Sequence, residues 1–174
     1  MPNWNSNDVA IHAPLEAVKA YLVPQADDTY LFNMHLLYPD RFPVVDPTGE
    51  INWDYNWAVD NTGSKRFPDV TIDRCGPKAP TLLNYDTARA PNNDLLGRLH
   101  EMTGWPIDNV YEEPGAGFEG TFSCNKGICT DEPREYQPRC NVCDQKHPAS
   151  RYTIDPDRCV CDRCWKLDPI SLPQ

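Results

Sequence analysis

Two cysteine pairs near the end of the sequence constrain this chain more than any other feature. Cys140 and Cys143 form one C-x2-C pair, Cys161 and Cys164 form another, and 17 residues separate the two pairs. Each pair can place two thiolates on one tight turn, and two such turns can close a tetrahedron around one ion. Four thiolates leave no open coordination position, so the spacing predicts a structural Zn²⁺ site around which the tail folds.

Other potential ligands leave alternatives open. Cys159 could replace Cys161, which gives a C-x15-C spacing, and His147 is a spare nitrogen ligand. Cys124 and Cys129 flank Asn-Lys-Gly-Ile in an expected hairpin turn, and they could hold a second metal ion only with two further ligands. The simpler interpretation is that both are reduced thiols, since a buried cysteine often acts as a small hydrophobic residue.

The acidic charge lies in the first two-thirds of the chain. The formal net charge is −10; residues 1–124 hold 8 Lys and Arg against 18 Asp and Glu, whereas residues 125–174 hold 8 of each. Phosphate backbones repel an acidic domain, so we expect a protein partner with a basic surface rather than nucleic acid. That surface could be one that normally holds nucleic acid. The same charge could also serve solubility alone.

Nothing in the sequence predicts export or membrane insertion. The opening Met-Pro-Asn-Trp lacks the basic start and apolar stretch of a secretory signal. No apolar run approaches the roughly 20 residues of a membrane span. Paired C-x2-C spacings in a reducing compartment indicate metal binding. We therefore expect a cytoplasmic protein without membrane contact.

The apolar pattern predicts a core of strands and helices. Strands are expected at 4–11, 65–73 (an edge strand), 81–88, 107–113 and 118–123, and helices after Pro14 and at 94–103. This order is a βαββαβ core with an extra hairpin strand, an α+β fold with two helices on one face of an antiparallel sheet. We divide the chain into a domain at 1–123, with a Pro-rich insertion at about 24–64, and a cysteine-rich module at 124–174.

Residues 51–59 allow two interpretations. Every second residue is apolar, as in a strand, but Trp53 and Trp57 also share one face of a helix. Periodicity alone favours the strand. If Trp53, Tyr55 and Trp57 were exposed together, they would form an anchor for a partner protein, although such rings belong to the core by default.

Four short runs occur in order over residues 1–123. They are Met1-Pro2-Asn3-Trp4 with Asn7, Asn56-Trp57 with Gly63-Ser64-Lys65, Asp86-Thr87-Ala88 before Pro91, and Glu113-Pro114-Gly115-Ala116-Gly117-Phe118 with Gly120. Together they resemble the YubB ferredoxin-like domain family. Three departures stand out: Asn5 replaces the family's usual cysteine, residues 58–62 are inserted, and Arg89 replaces an expected Trp.

The resemblance implies a ferredoxin-like fold over 1–123 and a helix at 51–59, and we adopt the helix. The family name describes a fold, so no iron–sulfur cluster is expected. The family is spread by phages and conjugative plasmids, so the resemblance implies an accessory protein of a mobile element that acts in a host cytoplasm. It implies no reaction. The cysteine spacing of the tail is typical of treble-clef and zinc-ribbon modules.

No residues form a recognisable catalytic arrangement. Glu112 and Glu113 are neighbours on an expected strand, so they point to opposite faces and cannot share a substrate proton. His100 lies one step off the apolar stripe of its helix, and no Ser or Cys stands in a nucleophile setting beside a histidine. We expect a protein that is not an enzyme.

The leading hypothesis is a phage- or plasmid-encoded accessory protein that binds a host or defence protein through an acidic surface. Such binding would interfere with host defence or with nucleic-acid machinery. The first alternative is a nucleic-acid-binding protein that uses the zinc module. The second is an enzyme of undefined reaction, with a pocket between the sheet and the insertion.

Overall fold

The described part of the chain is an antiparallel six-stranded sheet with helices on one face and two small hairpins. The structure is a computed structural model. It describes residues 4–39, 56–65, 67–73, 79–140 and 143–146, together with the backbone of Tyr55, 152–155 and 158–161. The predicted α+β class with an antiparallel sheet is confirmed.

Ten strands and four helices are described. The strands are β1 (Trp4–Ile11), β2 (Leu22–Pro24), β3 (Tyr30–Phe32), β4 (Thr71–Asp73), β5 (Thr81–Ala88), β6 (Ile107–Glu113), β7 (Phe118–Asn125), β8 (Ile128–Glu135), β9 (Tyr152–Asp155) and β10 (Arg158–Cys161). The helices are α1 (Leu15–Lys19), α2 (Met34–Leu37), α3 (Tyr55–Thr62) and α4 (Asn93–Thr103). None of these described helices has the length and apolarity needed to cross a bilayer.

The main sheet has the order β4-β5-β1-β6-β7-β8, and every neighbouring pair is antiparallel. Strand β1 lies at the centre, where Ser6 is opposite both Asp86 of β5 and Glu112 of β6. Because directly opposed residues lie on the same face, this register determines which side chains share a surface.

Burial alternates along the central strands. In β6, Ile107, Asn109, Tyr111 and Glu113 are buried, whereas the residues between them are exposed. The inward residues of the sheet pack with Val18 of α1, Leu37 of α2 and the three leucines of α4, which are Leu95, Leu96 and Leu99. The helices therefore cover one face of the sheet.

Helix α4 matches its prediction closely. Its leucines are buried, and Gly104 ends it in the left-handed conformation at φ 70°, with its N–H donating to the carbonyl of His100 at 2.7 Å. Asn92 stands at the N-cap position but its side chain makes no capping bond. Its Oδ1 instead accepts a hydrogen bond from the Tyr85 hydroxyl at 2.8 Å, so this side chain joins the helix to the sheet.

Helix α3 covers part of residues 51–59, the segment for which the sequence allowed either a strand or a helix. Residues 55–62 are helical, so the periodicity argument for a strand is wrong there, and residues 51–54 lie outside the described part. Within the helix, Asn61 donates to the carbonyl of Trp57 and Thr62 donates to that of Ala58. The inward face of this helix includes the buried Ala58, which does not belong to the alternating set of apolar residues. The alternation of the large residues therefore favoured a strand although the segment is helical.

The hairpin turn between Cys124 and Cys129 is confirmed, but the length of the strand that follows it, β8, was not predicted. This strand pairs with β7 along its whole length through a two-residue turn, in which Lys126 and Gly127 have φ of 51° and 78°. The sheet therefore continues beyond residue 123, where we placed the domain boundary. All residues of β8 are exposed and Pro133 lies within it, so the apolar alternation that marks a buried strand is missing.

A glycine in β7 allows one close contact that can be tested. Gly120 lies opposite Tyr111, and a Cβ atom added there would overlap the phenol ring. We expect Gly120→Ala to lower the free energy of unfolding by about 1–3 kcal/mol, as overpacked cores do. Urea denaturation measures this change.

Gly97→Ala is the matched control for that substitution. Gly97 lies inside α4, and the nearest atom outside the helix that its Cβ would meet is in the Phe122 ring at 3.9 Å. This substitution should raise the unfolding free energy by about 0.5–1 kcal/mol, because alanine favours helix. Equal effects of the two substitutions would contradict the packing described for Gly120.

Candidate partner-binding face and candidate metal centre

The sheet face opposite the helices carries a set of exposed carboxylates. The register places six of them on this surface, which we call the open face: Asp8, Asp73, Asp86, Asp108, Glu112 and Glu132. Among the described residues no helix packs on this side. These six residues are part of the acidic excess seen in the sequence, and the register brings them onto one face of the sheet.

Ion pairs neutralise only part of this surface. His12 lies 2.8 Å from a carboxylate oxygen of Asp108, and both side chains are about half exposed. Within the described residues, no ion pair involves Asp8, Asp86 or Glu112. These three carboxylates have no direct ion pair, but Glu119 lies opposite Glu112 on the same face and brings two cations, Arg134 and Lys146, to its edge.

Glu119 connects the open face to the cysteine-containing segment. Its carboxylate is buried between Arg134 at 2.9 Å and Lys146 at 2.7 Å. Burial would raise the pKa of Glu119, but the hydrogen bonds and charges of Lys146 and Arg134 outweigh it and hold the pKa below its usual value. Since Lys146 follows Cys143 closely in the chain, this pairing anchors the first cysteine pair against the sheet.

A pocket of about 580 Å³ opens at one edge of the open face. It lies between the ends of β1 and β5 and the segment that leads into β4. Its lining residues are Trp4, Ser6, Phe67, Pro68, Asp69, Thr71, Asn84, Tyr85 and Asp86. Trp4 is 48% exposed, so this indole lies outside the core. It departs from the default expectation that tryptophan rings belong to the core.

The pocket differs in place from the one that the enzyme hypothesis required. That hypothesis located it between the sheet and the insertion at 30–60, yet none of the lining residues belongs to that stretch. The described parts of the insertion instead contribute Phe32, Met34 and Leu37 to the core on the opposite face.

A chain of buried amides lies beneath the N-terminal end of α4. Asn7 donates to the Thr87 hydroxyl at 2.9 Å, and Asn109 donates to Asn7 at 3.1 Å and to Asn93 at 3.0 Å. Asn93 in turn donates to Asp131 of β8 at 3.1 Å. The network thus links β5, β1, β6, α4 and β8 through side chains alone.

Several buried polar atoms at this end of the sheet have no hydrogen-bond partner among the described residues. They are Nδ2 and Oδ1 of Asn5, Oγ of Ser64, Nδ2 of Asn92, Oδ1 of Asn109 and Oε2 of Glu113. Leaving such a group unpaired in a core is unfavourable by about 1–3 kcal/mol. Any ordered water at this end of the core would therefore have these atoms as its hydrogen-bond partners.

Residues from three of the four runs that resemble the YubB family meet at this same end. Trp4 lies opposite Ala88, and Glu113 lies opposite Phe118. Asn7 and Thr87 belong to the amide network. Sequence reasoning did not predict the network, although asparagines at the inward positions 5, 7 and 109 of strands were a visible signal.

The first cysteine pair lies on a tight chain reversal. The Asp144 N–H donates to the Cys140 carbonyl at 2.9 Å, and the Cys140 N–H donates to the Gln145 carbonyl at 3.0 Å. Asp144 has φ of 55°, a left-handed conformation that lets the chain turn directly after Cys143. Cys140 is buried and Cys143 is half-buried. This backbone fits a turn that presents two thiolates to one metal ion.

The second pair is described only in part. Cys161 is the last residue of β10 and lies opposite Tyr152, while Cys159 lies opposite Ile154 in the same hairpin. The side chains of both cysteines, and all of Cys164 and His147, lie outside the described part. Among described side chains, no group of three or more His, Cys, Asp or Glu could hold a metal ion. The zinc site and the choice between Cys159 and Cys161 stay predictions.

Cys124 and Cys129 form a disulfide across the β7–β8 hairpin. They are directly opposed, with Cα atoms 4.1 Å apart. The expectation of reduced thiols is therefore wrong for this pair, and bonded sulfurs cannot serve as ligands of a second metal ion. A disulfide is typical of oxidising compartments, so this pair lends no support to the cytoplasmic prediction.

The proposed aromatic anchor does not form at Trp57. This ring packs edge-on against Tyr38, with centroids 5.3 Å apart, and it borders the core. Trp53 and the Tyr55 side chain lie outside the described residues. Trp4 is the exposed indole that the structure reveals instead.

Two asparagines in the buried network allow a test of its energetics. Asn5 is fully buried with both amide atoms unpaired, whereas the Asn7 amide is paired on both sides. We expect Asn5→Ala to leave the free energy of unfolding unchanged or to raise it by up to about 1 kcal/mol. Asn7→Ala should lower it by about 1–3 kcal/mol, because its partners lose their bonds. Urea denaturation of both variants measures these changes. Equal losses of unfolding free energy in the two variants would show that the Asn5 amide is paired in solution.

Comparison with known proteins leaves the chain without an assigned family. No family model matches it, and no curated protein matches it significantly. One solved structure that aligns with it is the protein api92 from Yersinia pseudotuberculosis, of family DUF1281, with a TM-score of 0.40 and 20% identity. The alignment covers 48% of this chain and 30% of api92, so the chain matches less than a third of that protein's length.

Proposed function

We propose that this chain is a non-enzymatic binding protein that engages a basic surface of a partner protein through its open face. The observation that carries this proposal is the set of six carboxylates on one sheet face that the described helices leave uncovered. Such a field attracts basic surfaces and accelerates their association.

The arrangement favours surfaces that normally hold nucleic acid. Neighbouring strands lie about 4.8 Å apart and same-face residues along a strand lie about 7 Å apart, so the sheet spreads its charges over a broad surface. Clusters of Lys and Arg that bind phosphates can match such an area. The partner class is a host or defence protein, and the phage or plasmid setting rests on the resemblance alone.

The finer fold assignment supports the same proposal. We propose that β4-β5-β1-β6 with α1 and α4 form a ferredoxin-like βαββαβ unit, extended at the β6 edge by β7 and β8; the support is the strand order and the antiparallel pairing. In this unit one sheet face is free for binding. The acidic character of that face here disfavours nucleic acid as its ligand.

The C-terminal module is proposed to hold one structural Zn²⁺. The support is the pair of backbone hydrogen bonds that Cys140 makes with Asp144 and Gln145, the hairpin β9–β10, and the position of Cys161 at the end of that hairpin. A turn, a hairpin and a second C-x2-C pair make up the layout expected of a treble-clef or ribbon module. Bound zinc would supply a core that so short a segment lacks.

Charge neutralisation on the open face tests the binding proposal. We expect the triple variant Asp8→Asn, Glu112→Gln, Glu132→Gln to weaken capture of the host partner at least 10-fold, because these carboxylates face the partner. Partners would be captured from host lysate at low and moderate salt and identified by mass spectrometry. Binding of the purified partner would then be titrated calorimetrically, and raising the salt should weaken it.

A second triple variant controls for net charge. Glu16→Gln, Asp60→Asn and Glu101→Gln remove the same charge from exposed positions on the helices. This variant should bind almost as the unaltered protein does. Equal loss in both variants, or no captured protein at either salt concentration, would refute the proposal. Salt-dependent retardation of RNA or DNA would support the nucleic-acid alternative instead.

Metal analysis tests the zinc proposal. We expect one zinc per chain by mass spectrometry of the metal, lost in Cys140→Ser and in Cys164→Ser because three thiolates hold zinc less tightly than four. Cys159→Ser separates the two ligand sets, since it keeps the metal if Cys161 is the ligand.

Cys124→Ser is the control for these variants. It removes a cysteine of the hairpin disulfide, so the zinc content should not change. Purified, fully ordered protein that contains no metal would refute the zinc proposal.

A further inference from the structure

The pocket at the edge of the open face has the composition of a cation-binding site. The acidic residues that line it are Asp69 and Asp86, and no described cation lines it. Trp4 and Phe67 supply aromatic walls, and Ser6 supplies a hydroxyl. Its volume of about 580 Å³ lies within the range of about 300–1,000 Å³ typical of ligand pockets.

The register places the indole beside a carboxylate. Trp4 is opposite Ala88 and Ser6 is opposite Asp86, so Trp4 and Asp86 are diagonal neighbours on the same face. Such neighbours are within reach of one another's long side chains. A guest that lies over the indole can therefore place a charged group against Asp86.

The opposite wall is held in place by hydrogen bonds. The Thr71 hydroxyl donates to the Asn84 carbonyl at 2.9 Å, and the Asn84 amide donates to Asp73 at 2.6 Å. These bonds fix the edge between β4 and β5 before any ligand arrives. A preformed wall lowers the entropy lost on binding.

We propose that this pocket receives an arginine side chain of the partner protein, a proposal that rests on the proposed function. The guanidinium would stack on Trp4 and donate to Asp86, with Asp69 adding charge at the rim. Cation–π stacking contributes roughly 0.5–2 kcal/mol, and a planar guanidinium can donate two parallel hydrogen bonds to one carboxylate.

Arginine fits this pocket better than lysine does. Its guanidinium is flat, weakly hydrated and able to stack and donate at once, whereas an ammonium is a compact, strongly hydrated charge. An anionic guest such as a nucleotide would meet two carboxylates and no described cation. The pocket thus selects a specific residue within the basic surface that the open face attracts.

Short peptides test this inference without the partner. Acetylated and amidated Gly-Arg-Gly, Gly-Lys-Gly and Gly-citrulline-Gly would be titrated while the indole N–H signals are followed by NMR. We expect saturable shifts of the Trp4 signal with the arginine peptide, binding at least threefold weaker with lysine, and no shift with citrulline, which lacks the charge.

Three variants locate the site. Trp4→Ala and Asp86→Asn should each weaken arginine-peptide binding at least fivefold, with the fold checked by circular dichroism. Asp108→Asn is the matched control, because it removes one charge from the same face at the far end of the register. The affinity of Asp108→Asn for the arginine peptide should stay within twofold of the affinity of the unaltered protein.

The outcomes separate this inference from the proposed function. Equal affinities for the arginine and citrulline peptides, or equal losses in Asp86→Asn and Asp108→Asn, would overturn the arginine pocket. If the open-face triple variant loses the partner while Trp4→Ala keeps it, the binding function stands and the pocket inference fails. If the peptide data hold but the triple variant still binds the partner, the pocket stands and the open-face function fails.

Discussion

The two-residue alternation of the central strands is the constraint on which the rest of this structure depends. It gives Val9, Ile11 and Leu83 to the core and leaves Asp8 and Asp86 on the other side of the same strands. A shift of one residue in the pairing of β1 would exchange these sets, so the core and the open face are determined together. Apolar burial against α4 therefore also organises the acidic surface.

At the polar end of the core the alternation of buried and exposed residues continues, but the buried residues are polar. Asn5, Asn7 and Asn109 occupy inward positions that the rest of the sheet fills with apolar side chains. Their hydrogen bonds join the sheet to α4, but unpaired amide atoms remain in the core. Stability alone would favour apolar residues there. The network lies on the inward side of β1 and β5, the strands whose outward side carries Trp4 and Asp86.

Local patterns predicted the elements whose burial is one-sided. The leucine stripe and Gly104 of α4, and the alternation of β1, β5 and β6, were all visible in the chain. Strand β8 was missed because it is an edge strand with every residue exposed, and helix α3 was obscured by aromatic residues at even spacing. In both cases pairing or packing with distant residues decided the conformation. The disulfide between Cys124 and Cys129 was missed for a related reason, since the expectation treated each cysteine as a small buried residue and did not use the pairing of β7 with β8.

By itself the sequence determined the cysteine spacing, the excess of acid before residue 125 and the alternating order of strands and helices, because each is a property of neighbouring residues. Only the tertiary structure decided which carboxylates share a face, that Trp4 is exposed beside Asp86, and that Trp57 belongs to the edge of the core. These facts depend on strand order and register, which bring together residues as far apart as Ser6 and Glu112. Non-local pairing of this kind is set by the packing of the whole domain, and no short stretch of sequence encodes it.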